Sequence, residues 1–124
     1  MTTLKIGIAS VADYKARNLA IARGELKPPA HGPKVWFNSI ESVAKVLSDR
    51  NRQLLALIAE EKPESLQALV ERTGRAKSNL SRTLKTMERY GLVRMEKRPN
   101  RALAPRVTFD DIRLDLPLRS KAAA

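Results

Sequence analysis

The sequence predicts an α+β fold, mainly helical, and three observations predict it. Apolar residues recur at three-to-four spacing through much of residues 39–90, the period of amphipathic helices. Alternation with period two replaces it at Leu4-Ile6-Ile8 and again beyond Gly91. Gly24, Gly74, Gly91 and Pro63 fall where those periods break, as stop signals should.

At the N-terminus, Leu4, Ile6 and Ile8 alternate with Lys5 and Gly7, the pattern of a half-buried strand. Ser10 then caps a helix from Ala12 to Arg23, with Asp13 at N3 and Gly24 at C′. Lys27 to Pro33 contains three prolines, which lack a donor and fix φ, so it reads as a linker. Val35-Trp36-Phe37 concentrates apolar surface just before Ser39, the cap of a helix carrying Ile40, Val43, Ala44 and Leu47. A further helix from Arg50 to Glu61 presents Leu54, Leu55, Leu57 and Ile58 and ends before Pro63.

Two closely spaced helices follow. Ser65 or Glu64 opens the first, which carries Leu66, Leu69 and Val70 and stops at Thr73-Gly74. The second runs from Lys77 to Tyr90, with Leu80, Leu84 and Met87 as its inner stripe. At about 100° per residue, Ser78, Arg82, Lys85 and Arg89 fall opposite that stripe, so one face is basic and polar. Beyond Gly91, Val93 and Met95 alternate with Arg94 and Glu96. A charged turn, Lys97-Arg98-Pro99-Asn100-Arg101, leads to Val107-Thr108-Phe109 as the expected second strand of a hairpin. Ile112, Leu114 and Leu116 suggest one more strand, and residues 119–124 a disordered tail. A short helix, a glycine turn, a second helix with a basic outer face and a basic hairpin together make a winged helix-turn-helix. The expected organisation is a strand-helix extension and linker over residues 1–34, and a winged helix-turn-helix domain with its preceding helix over 35–118.

Charge points the same way. Of 124 residues, 24 are basic and 13 acidic, and residues 75–106 alone hold ten basic and two acidic groups. That concentration suits a phosphate-facing surface. Other chemistry is scarce: there is no cysteine, no GxxxxGK loop and no framed pair of carboxylates, and His31, the single histidine, sits in the linker. The chain is therefore expected not to be an enzyme, with no catalytic residue, metal or cofactor. It has no apolar run of about 20 residues and no signal-peptide order at Met1-Thr2-Thr3-Leu4-Lys5, so a cytoplasmic protein without membrane contact is expected.

The stretch Leu66 to Gly74, with Asn79 to Val93 after it, resembles the MarR-like winged-helix regulators. In that family a Ser-Arg pair, here Ser81-Arg82, lies mid-helix, and a Gly-Leu-Val step, here Gly91-Leu92-Val93, leads into the wing. Where the family often opens its recognition helix with Ser or Thr, this chain has Ala76. Over its full length, including Asp13 to Arg17 and Pro33 to Phe37, the chain is also similar to short bacterial and archaeal regulators, some of them antitoxin components. That likeness implies autoregulation and a toxin protein as partner.

The expected function is sequence-specific binding of double-stranded DNA by a homodimeric transcriptional regulator. The contacts expected are Arg75, Lys77, Ser78, Asn79, Ser81, Arg82, Lys85 and Arg89 from the turn and recognition helix, and Lys97, Arg98, Arg101 and Arg106 from the wing. The homodimer is expected to form through residues 1–48, whose apolar faces exceed what a small domain can cover. An antitoxin, and a winged-helix module that joins a protein or RNA assembly, remain as alternatives. Single-stranded RNA is disfavoured because stacking platforms are few, Tyr90 being the one aromatic residue near the basic segment.

Overall fold

The structure, a computed structural model, describes residues 2–27, 32–116 and 118. His31, most of the proline-rich linker and the tail at 119–124 lie outside the described residues. In chain order the elements are β1 (Thr3–Ile8), α1 (Val11–Ala22), β2 (Val35–Phe37), α2 (Ile40–Val46), α3 (Asp49–Glu61), α4 (Leu66–Thr73), α5 (Lys77–Tyr90), β3 (Arg94–Lys97), β4 (Leu103–Arg106) and β5 (Asp111–Asp115). The architecture is mixed α and β, with four consecutive helices, α2–α5, between short strands on either side.

Serine sets the start of four helices. The hydroxyls of Ser10, Ser39, Ser48 and Ser65 accept hydrogen bonds from the backbone N–H of Asp13, Ser42, Asn51 and Ala68 at 3.0–3.3 Å. Each satisfies a donor that the first helical turn leaves open. α5 differs: Ala76 stands at its N-cap and supplies no side-chain bond. Gly74 and Gly91 end α4 and α5 at φ of 72° and 85°, a conformation that L side chains rarely adopt.

The strands form two sheets. β1 lies in the middle of the first, parallel to β2 through Ile6↔Val35 and Ile8↔Phe37, and parallel to β5 through Thr3↔Asp111 and Gly7↔Asp115. Thr2 fastens the far end, its hydroxyl donating to the Thr108 carbonyl at 2.8 Å and its N–H to Asp110 Oδ2 at 3.2 Å. Asp110 thereby clamps the start of the chain. The boundary expected at residue 34 thus runs through a sheet. Ile6, Val35 and Phe37 share one buried cluster with Leu54, Leu55 and Ile58 of α3, Leu69 of α4, and Leu80, Leu84 and Met87 of α5. Each such side chain, fully buried, contributes about 1.5–3 kcal/mol. Trp36 lies across β1 at Gly7, where an added Cβ would come within 2.5 Å of its ring. α1 reaches the sheet through the same indole: Tyr14 is 6.2 Å from it and the Arg17 guanidinium 5.0 Å above it. No residue of α1 is fully buried.

The second sheet is the antiparallel hairpin β3–β4, with Arg94↔Arg106 and Lys97↔Leu103 in register. Its second strand is Leu103–Arg106, not Val107–Phe109 as alternation suggests. Pro105 hides this strand from a sequence reading, because proline normally breaks a ladder. β4 pairs with β3 alone, so one missing donor is tolerated, and the Pro105 ring is fully buried.

Candidate nucleic-acid interface

α4 and α5 are joined by the three residues Gly74-Arg75-Ala76. Thr73 locks the joint: its hydroxyl donates to the Leu69 carbonyl at 2.8 Å and accepts from the Arg75 N–H at 3.2 Å. α5 then divides as its sequence demands. Leu80, Leu84 and Met87 are at most 3% exposed, while Ser78, Arg82, Lys85 and Arg89 are exposed, as are Lys77 and Asn79. Ser81 is half-buried. Lys77, Ser81 and Lys85 border an open groove of about 480 Å³ whose other wall is the hairpin, with Arg101 and Leu103. The fold therefore brings α5 cations and a hairpin cation to one concave surface.

The hairpin tip is a tight turn. The Arg101 N–H donates to the Arg98 carbonyl at 2.9 Å, the Arg98 N–H to the Ala102 carbonyl at 2.8 Å, and Arg101 takes φ of 68°. A turn followed by a left-handed residue is a common way of closing a short hairpin. Lys97 and Arg101 are exposed there.

Two of the residues expected as wing contacts, Arg98 and Arg106, are engaged by acidic neighbours. Arg106 is only 12% exposed: its Nη1 donates to the Pro63 and Pro105 carbonyls at 2.7 and 2.8 Å, and its Nε lies 3.2 Å from Glu96 Oε2. Arg98 Nε lies 2.9 Å from Glu64 Oε2, and its Nη1 lies 3.6 Å from Glu96 Oε1. These two guanidinium groups share Glu64 and Glu96, bracing the hairpin against the α3–α4 connection. By contrast, among the described residues none of Lys77, Arg82, Lys85, Arg89, Lys97 and Arg101 forms an ion pair. Their charge faces solvent.

Arg75 has a different setting. It lines an open hollow of about 340 Å³ with Arg50, Gln53, Leu57, Arg72 and Thr73. Burial first, and the neighbouring Arg50 charge second, hold the Arg75 guanidinium below its ordinary pKa. Sequence reasoning missed Arg50 because residues 39–74 are slightly acidic overall, five basic against six acidic groups. Tyr90 stacks on Phe37 with centroids 4.2 Å apart and an interplanar angle of 9°, so it belongs to the core and offers no platform for a base.

No group of three or more histidine, cysteine or carboxylate side chains capable of holding a metal occurs among the described residues, and no helix there is long and apolar enough to cross a membrane. No curated protein and no solved structure matches the chain. Residues 46–114, the span from the end of α2 into β5, match the HVO_A0114 family model. They make up more than half of the chain, and the protein belongs to that family.

Proposed function

We propose that this HVO_A0114-family protein is a sequence-specific, double-stranded DNA-binding transcriptional regulator of the MarR-like winged-helix kind, working in the cytoplasm as a homodimer and without catalysis. The observation that carries the reading is the division of α5. Its inner stripe is anchored in the core, and its outer face presents Ser78, Arg82, Lys85 and Arg89 without acidic partners among the described residues. A helix held this way can enter the major groove, where Arg82 has the fork geometry for a bidentate contact with guanine. Lys97 and Arg101 at the hairpin tip then need only charge and reach to meet the adjacent backbone.

The uncapped start of α5 supports the same reading. A helix N-terminus with open N–H groups attracts anions, and a phosphate can take the place a serine takes elsewhere in this fold. Selection of bound sequences from a random duplex pool by the full chain is the test. Enrichment of a motif, lost with Arg82→Ala, is expected; binding without any enrichment would exclude sequence-specific regulation.

A further inference from the structure

Arg50 and Arg75 converge from two elements on one hollow, and no carboxylate lines it. Arg50 comes from the first turn of α3 and Arg75 from the α4–α5 joint, 25 residues later. Arg72, at the rim, is already paired with Glu61, its Nε 2.9 Å from Oε1. Arg75 has no such partner. Its Nε is buried and makes no hydrogen bond, and Arg75 forms no ion pair among the described residues. The Nε of Arg98 is likewise buried without a hydrogen bond, but it lies 2.9 Å from a Glu64 oxygen, so its charge is answered.

The buried Arg75 Nε without an acceptor, and the like charge of Arg50 on the same hollow, both disfavour the empty site, because buried donors normally find acceptors and like charges repel. An acceptor with two or more oxygens and negative charge resolves both costs. Arginine forks match the tetrahedral face of a phosphate, and Gln53 on the wall supplies a neutral amide. The hollow also lies one residue from the uncapped start of α5.

We propose that Arg50 and Arg75 form a binding site for a phosphate group beside the α4–α5 joint, and that on duplex DNA it takes one backbone phosphate. The second clause rests on the DNA-binding reading; the first does not. The site fixes the angle at which α5 meets the duplex, since a phosphate held here ties the joint itself to the backbone. Arg50 is thereby a positioning residue outside the basic segment.

The experiment has two arms on the full chain, wild type against Arg50→Gln. Arg50 is exposed, so the variant keeps the core. In the first arm, melting is followed while inorganic phosphate replaces chloride at constant ionic strength. The wild type should gain about 5 °C when phosphate exceeds its dissociation constant about tenfold, and Arg50→Gln should lose most of that gain. In chloride, Arg50→Gln should melt no lower than the wild type, since it removes a repulsion; a purely structural Arg50 would lower it. In the second arm, the slope of log K against log salt is measured on duplex DNA and should fall in magnitude by about one in the variant. A change in the DNA arm alone overturns the phosphate site and leaves Arg50 as an ordinary backbone contact. A change in the phosphate arm alone supports the phosphate site and overturns the backbone assignment. No difference in either arm overturns the proposal, and a wild type that binds no duplex removes the DNA reading while the first arm still judges the pocket.

Discussion

Gly7 shows how one missing side chain shapes this protein. An alanine there would place its Cβ 2.5 Å from the Trp36 ring, and that ring also receives Tyr14 and Arg17 from α1. Gly7→Ala is expected to cost roughly 1–3 kcal/mol by overpacking, read as a lower denaturant midpoint with an unchanged slope. The arginines divide at the same scale. Arg82→Ala is expected to lose about 1–3 kcal/mol on a cognate duplex and little on a scrambled one, if it reads a base. Equal losses on both duplexes would make it a phosphate contact. Arg106→Ala should do the reverse, lowering thermal stability because the Pro63 carbonyl and Glu96 lose their partner, with no change in which sequences are preferred.

Among the elements, α5 and the hairpin carry the sharpest expectations. Ala76 sits in extended geometry at φ −62° and ψ 139°, suited to a cap that the side chain does not provide. Ala76→Ser should therefore add about 1 kcal/mol of stability, measured by chemical denaturation. Ala76→Asp should add as much while weakening DNA binding, because its carboxylate would occupy the place proposed for a phosphate. If Ala76→Asp leaves affinity unchanged, the start of α5 does not face the duplex. In the hairpin, Lys97→Ala and Arg101→Ala should each reduce the salt slope by about one, whereas Arg98→Ala should leave it nearly unchanged. The difference follows from Glu64 and Glu96, which already neutralise Arg98.

At the scale of the whole molecule, the N-terminal segment has two parts with different fates. β1 and β2 are committed to the chain's own sheet and core, with Ile6 fully buried between neighbours on both sides. Removing residues 1–48 would strip two of three strands from that sheet, so such a truncation tests folding and not assembly. α1 is what remains for a partner, with Val11 58% and Leu19 51% exposed. The proposed homodimer is expected to pair through this helix, placing two copies of α5 to read half-sites about one helical turn apart. Sedimentation equilibrium of the full chain should give a dimer at tens of micromolar that Val11→Glu/Leu19→Glu dissociates without altering the melting of the fold. A dimer that survives the double substitution would place the interface elsewhere.

What the sequence determined by itself is local. Serine caps at 10, 39 and 65, glycine stops at 74 and 91, and the three-to-four spacing of Leu80, Leu84 and Met87 are each written within one or two turns of chain. They predict the helices within a residue or two, together with the exposed basic face of α5. What the tertiary structure decided depends on residues far apart in sequence. Thr3 meets Asp111, Arg106 bonds to Pro63, Arg98 meets Glu64, and Arg50 shares a hollow with Arg75. No local period encodes such pairings, because strand partners and ion pairs are chosen by whichever packing buries the shared core. That choice turned an expected N-terminal extension into the central strand of a sheet. It also tied Arg98 and Arg106 to Glu64 and Glu96, and it set Arg75 against a second arginine with no acid to answer them among the described residues.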